Sequence, residues 1–211
     1  MTARLTIAGT IVFVVLGLLV AGHWAPLISV DTGLDTAVHG AVLAHGWLRS
    51  VALVVTDLGS PVAVDVVAVV AAAALLVARR VPDAVAVVVA RLVELGIETA
   101  VKALVNRSRP VFSHPVATAG GASFPSGHTA GSAALYGILV LLLVRRPLVT
   151  IAASVFVLAV GASRIALGVH YLSDVVGGLA LGLAVAGGTM LLRDWVGTTS
   201  LVKKAHDRSP P

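Results

Sequence analysis

The chain has 211 residues, of which 58% are hydrophobic and only 12% charged, with a mean hydropathy of +1.01. That excludes an ordinary soluble domain and marks an integral membrane protein. The formal net charge of +5 does not point to nucleic acid, because the cations stand at the ends of apolar runs (Arg79-Arg80, Arg145-Arg146, Arg193, Lys203-Lys204), as topology signals do. No cysteine is present, so disulfides, thiolate catalysis and Cys-ligated metals are excluded.

Backbone groups cannot stay unpaired in lipid, so the fold must be helical or a closed barrel. Long apolar runs without period-2 alternation predict an all-α polytopic protein forming one domain over 1–211. Leu5 to Ala21 is the first apolar segment. Small residues at Ala21-Gly22 would suit signal cleavage, but the run approaches the ~20 residues of a span and no A-x-A site follows. Asp31 to Gly59 is interrupted by His45, Arg49 and Asp57 and is expected as an amphipathic helix lying on the outer interface. Pro61 to Ala78 forms the second span, Asp83 to Val105 the third and Thr129 to Val144 the fourth. Pro147 to Ser163 forms the fifth and Tyr171 to Leu192 the sixth. The tail, 194–211, reads as polar, disordered and cytoplasmic. Six spans in a plasma or inner membrane, both termini cytoplasmic, keep the basic pairs inside.

This topology delivers three polar clusters to the outer leaflet: Lys102-x6-Arg109-Pro110, Pro125-Ser126-Gly127-His128, and Ser163-Arg164-x5-His170-x3-Asp174. His170 and Asp174, four apart at a helix start, are expected to share a face with Cβ atoms roughly 5–6 Å apart. A carboxylate on one ring nitrogen fixes the tautomer and leaves the other free to attack. His128, beside a helix N-terminus suited to an anion, is placed to protonate a leaving group. Lys102, Arg109 and Arg164 form a cationic set able to neutralise phosphate oxygens.

Together these clusters resemble the signature of the type 2 phosphatidic acid phosphatase superfamily, which includes lipid phosphate phosphatases, bacterial acid phosphatases and vanadium haloperoxidases. The resemblance runs from Lys102 to Asp174 with every motif position filled. It implies a six-helix core, here about 83–192. Lys102, Arg109 and Arg164, helped by Ser126 and Gly127, would bind the phosphate. His170 would be the nucleophile, Asp174 its partner and His128 the general acid. A phosphohistidine would form and then be hydrolysed.

No cluster offers the carboxylate-rich set that Mg²⁺ prefers, so neither metal nor cofactor is expected. The expected activity is hydrolysis of a lipid phosphate or pyrophosphate on the extracytoplasmic side, phosphatidate, phosphatidylglycerophosphate or a polyprenyl carrier among the substrates. Phosphotransfer to a lipid or sugar hydroxyl, and non-enzymatic binding or transport of a lipid phosphate, are the alternatives.

Arg91, Glu94 and Glu98 share a face with Lys102, and each would cost about 2.5–3.5 kcal/mol if unpaired at a bilayer centre. An internal ion-pair ladder is therefore expected. Asp57 and Asp65 are read as helix caps or ion-pair partners near the outer surface. His23, His39, His45 and His206 are read as interfacial or tail residues, and His114 as a loop residue outside the site. Gly127-x3-Gly131 and Gly178-x3-Gly182 predict close helix packing that would bring spans four and six together.

Overall fold

The computed structural model describes residues 2–143 and 147–206 and is helical throughout its regular structure. Eight helices follow in order among the described residues: α1 (Thr2–Ala21), α2 (Ala25–Ala44), α3 (Gly46–Leu58), α4 (Pro61–Val77), α5 (Val81–Val105), α6 (Gly127–Leu143), α7 (Pro147–Ala166) and α8 (Leu172–His206). Among the described residues, three stretches are long and apolar enough to cross a bilayer: Thr2–Ala21, Pro147–Ala166 and Leu172–Thr199. Pro61–Val77 and Gly127–Leu142 are apolar but shorter. The outer surface carries large apolar side chains such as Leu18, Val62, Val77 and Leu158, as lipid contact requires.

The core lies where α4, α5, α6 and α8 meet, around Val64, Val87, Leu135, Ile138 and Leu181. Small residues set its spacing. A Cβ on Gly178 would fall 2.5 Å from the Ser126 carbonyl, and one on Gly182 2.5 Å from the Ala130 carbonyl, so α8 rests on the backbone of α6. This half of the small-residue expectation holds. The other half needs correction, because Gly127 and Gly131 face α5 instead: Gly127 abuts Glu98, and Gly131 lies near Arg91 and Glu94. Helix α1 joins the bundle in the same manner, with Gly9 against the Ala180 carbonyl of α8.

Ion pairs link the charged groups within the bundle. Arg91 on α5 donates to Asp65 of α4 at 2.6 Å and to Glu94, and Lys102 Nζ reaches Glu98 at 2.5 Å, so the expected ladder is present. At the far end of the bundle from Lys102, Asp83 accepts from Arg80 at 2.6 Å and from Arg193 at 2.5 Å, fastening α5 to α8. Arg80 also donates to the Leu142 carbonyl of α6 at 3.0 Å.

Three expectations change. The segment read as one interfacial helix is two, α2 and α3, bent by 112° at His45, a shape that a broken span or a re-entrant loop also has. In its first half Asp31, Asp35 and His39, the last expected at the interface, are buried at successive turns of α2, with the His39 ring stacked on Phe112 at 3.7 Å, while His45, Arg49 and Asp57 are exposed. The tail is not irregular up to its end, since α8 continues to His206, with the Thr198 and Thr199 hydroxyls donating to the carbonyls of Asp194 and Trp195. The Arg145-Arg146 pair and residues 207–211 lie outside the described residues.

Helix contact through glycine gives a paired prediction. Gly182→Ala must separate two backbones and is expected to destabilise by about 1–3 kcal/mol. Gly96→Ala, with open space at its Cβ, is expected to be neutral or to stabilise by up to ~1 kcal/mol. Residual activity after heating in detergent measures both.

Candidate active site

Every residue of the three sequence clusters lies at one end of the bundle. Lys102 occupies the last turn of α5, which stops at Asn106, a left-handed residue (φ 45°) whose N–H donates to the Lys102 carbonyl at 3.0 Å. Beyond it the chain leaves the helix, and Pro110 biases Arg109 toward an extended backbone. The Arg109 guanidinium is tied down by carbonyls: Nε donates to Gly120 and Gly121 at 3.1 and 3.0 Å, Nη2 to Ala122 at 3.2 Å and Nη1 to Val169 at 2.7 Å. Nη1 also lies 2.9 Å from His170 Nε2. Burial lowers the Arg109 pKa from its ordinary value, opposed by Asp174 and Glu98.

His170 is buried in the turn between α7 and α8, two residues ahead of α8. It therefore does not share a helix face with Asp174 as the spacing suggested. The approach comes from a cap: Asp174, in the first turn of α8, folds back so that Oδ2 accepts from the Tyr171 N–H at 2.9 Å. The same oxygen lies 3.4 Å from His170 Nδ1, a long contact of the kind that shortens when substrate binds. Arg109 is always a donor, so His170 Nε2 must accept and the proton belongs on Nδ1, toward Asp174. Burial pushes the His170 imidazole down to about 4, against the pull of Asp174, so it is neutral at physiological pH.

Arg164 falls in the last turn of α7 and is buried. Its Nη1 donates to Thr56 of α3 at 2.6 Å, while Nε has no partner among the described residues. His128, the second residue of α6, feels the charges of Arg164, His170, Lys102 and Arg109, which puts both imidazoles and all three cations around one space. Ser126 is completely buried. Its amide donates to the Asp174 carbonyl at 3.0 Å and its Oγ accepts from Thr129 at 3.1 Å. Its backbone N–H is thus committed to holding the α6 start against α8. Gly127 is glycine for space, since the Glu98 carboxylate that grips Lys102 lies directly against it. His114 is exposed on the loop.

Two residues of the site stand outside the three motifs. Arg107, inside the Lys102–Arg109 spacer, binds the second oxygen of Asp174 at 2.7 Å and Asp31 of α2 at 2.7 Å. The one signal for Asp31 was its helical spacing from Asp35 and His39, three ionisable residues in line on one helix.

Three cations grouped near a neutral imidazole whose Nε2 carries no proton are a set of groups suited to phosphoryl transfer. The PAP2 superfamily pattern matches residues 83–197, and the chain belongs to that superfamily. It is a membrane phosphatase of that class. Among relatives, it is 29% identical over 169 residues to phosphatidylglycerophosphatase B of Bacillus subtilis (strain 168), covering 76% of this chain and 82% of that protein. The crystal structure of a transmembrane PAP2-type phosphatidylglycerolphosphate phosphatase from Bacillus subtilis superposes with a TM-score of 0.81 at 26% identity, over 90% of this chain and 96% of that one. Aquifex aeolicus LpxE shares the fold, with a TM-score of 0.65 at 21% identity over 76% and 94% of the two chains.

The electrostatics of His170 predict its titration. The ring stays neutral with the proton on Nδ1 as pH falls through 6.5, the ordinary histidine value, and becomes cationic only toward about 4. Nitrogen chemical shifts of labelled histidine, assigned with a His170→Gln variant, measure this. A midpoint near 6.5 contradicts it.

Proposed function

We propose that this protein hydrolyses a lipid phosphate monoester or pyrophosphate at the extracytoplasmic face through a phosphohistidine on His170. The observation that carries the reading is the Arg109–His170–Asp174 arrangement: a neutral imidazole with its proton directed at a carboxylate and its free nitrogen directed at an anion-binding guanidinium. The phosphate displaces Arg109 from Nε2 and takes its guanidinium as a ligand, together with Arg164 and Lys102, with the Ser126 hydroxyl and Gly127 assisting. Nε2 attacks phosphorus, the bond from phosphorus to the ester oxygen breaks, and His128 gives that oxygen its proton. Water then attacks the phosphohistidine as His128 takes up the water proton, releasing inorganic phosphate and free His170. The three cations stabilise the equatorial oxygens as charge develops.

Six spans with both termini cytoplasmic, in one domain over 1–211, fit this reading. Arg80 and Arg193 stand at the opposite end of the bundle from the site, which under the positive-inside rule supports an outer-leaflet reading. A substrate then keeps its tail in lipid while its headgroup meets the pocket. The names of the Bacillus subtilis relatives make phosphatidylglycerophosphate the first substrate to test, ahead of phosphatidate and polyprenyl phosphates.

Two outcomes follow for purified protein in detergent. His170→Ala loses essentially all phosphate release, and Arg164→Ala loses on the order of 10²–10³-fold in kcat, as when an oxyanion donor is removed. Wild-type turnover in His170→Ala sinks the assignment. Because the cations are side chains, EDTA leaves the rate unchanged; loss of activity restored by Mg²⁺ contradicts this.

A further inference from the structure

Asp174 presents two oxygens, and the motif accounts for one. Oδ2 faces His170 and the Tyr171 N–H, while Oδ1 accepts from Arg107 Nη1 at 2.7 Å. The other end of the same guanidinium, Nη2, donates to Asp31 Oδ2 at 2.7 Å. Ser173 closes the ring: its N–H and hydroxyl reach the two oxygens of Asp31 at 2.9 and 2.5 Å, and its Oγ accepts from Arg107 at 2.7 Å. The guanidinium also lies 4.1 Å over the Tyr171 ring. Asp31, Ser173 and Asp174 are all at least 97% buried. Burial works against the Arg107 charge, but Asp174 and Asp31 overcome it and hold its pKa above the ordinary value.

We propose that Arg107, anchored by Asp31 of α2, is a positioning residue that keeps Asp174 ionised and aimed at His170. It is not a phosphate ligand, since both of its terminal nitrogens are bound to the carboxylates behind His170, on the side away from Nε2. The reason is electrostatic. Asp31, Asp35 and Asp174 form a buried acidic group beside His170, with Tyr171 and Arg109 also in reach. Without Arg107, three carboxylates share that space unneutralised, and a proton taken up on Asp174 ends its ability to accept from Nδ1. The imidazole is then free to carry its proton on Nε2, where it cannot attack. Helix α2 thereby becomes part of the catalytic apparatus.

This inference rests on the proposed role of His170, so His170→Ala is measured in parallel. Arg107→Gln is expected to lower kcat on the order of 10–100-fold, by analogy with losing the partner behind a metal-ligating histidine, with KM and inhibition by inorganic phosphate unchanged. Arg107→Lys, a point charge able to serve one carboxylate at a time, is expected to recover part of kcat. If His170→Ala is inactive while folded Arg107→Gln keeps the wild-type kcat, this proposal alone falls. A rise in KM without loss of kcat also overturns it, because Arg107 then binds substrate. Activity in His170→Ala instead removes the underlying mechanism. Should Arg107→Gln not fold, as gel filtration and thermal melting show, Asp31→Asn/Arg107→Gln removes the opposed charges together and is expected to fold and be equally slow. Wild-type kcat in that double variant, or its failure to fold, assigns the network to stability alone and overturns the proposal.

Discussion

The structure depends on Asp174, a carboxylate with no exposed surface. A buried charge of this kind is strongly unfavourable unless it is paired and fully hydrogen-bonded. Here the partners come from separate parts of the chain: Arg107 after α5, Tyr171 and His170 ahead of α8, and through its backbone carbonyl Ser126 at the start of α6. The carboxylate ties the segment after α5 to the start of α8, and the backbone carbonyl of the same residue adds the start of α6, so one residue fixes the relative positions of the three segments that carry the phosphatase motifs. Stability and catalytic geometry are met by the same bonds.

Charge pairing divides the remaining ionisable groups into two sets. Within the bundle, Arg91 pairs with both Asp65 and Glu94, and Asp83 holds Arg80 and Arg193 at the other end. At the site, Arg109 is bound by neutral carbonyls and an imidazole, and Arg164 by a hydroxyl, so each keeps its positive charge uncancelled by a direct carboxylate contact. Lys102 is intermediate, held by Glu98 yet within electrostatic reach of His128. Cations held at the site without a direct carboxylate partner favour an anion there.

The motif residues were legible because polar side chains stand out against hydrocarbon, and their convergence followed from counting apolar runs. The helical class and most of the helix bounds were legible for the same reason. Arg107 was hidden in a six-residue spacer, and Asp31 precedes its partner Ser173 by 142 positions. Helix α2 was misread on physical grounds. Amphipathicity shows that a helix has a polar side but not whether that side meets water or buried partners, and here Asp31 and Asp35 point inward. The polar composition after Arg193 was likewise read as disorder, although its threonines bond back onto the helix they extend.

The glycines of α8 connect helix packing to the chemistry. Gly177 and Gly178 lie one turn beyond Asp174; a Cβ on the first would strike Phe124, and on the second the Ser126 carbonyl. The distance between α6 and α8 therefore sets how closely the Pro125–His128 segment approaches His170. The Ser126 N–H reaches the Asp174 carbonyl at 3.0 Å only because no side chain intervenes at Gly178. A small-residue stripe in a membrane protein is commonly read as a means for helices to associate. In this protein its upper end fixes the separation between the proposed acid and the proposed nucleophile.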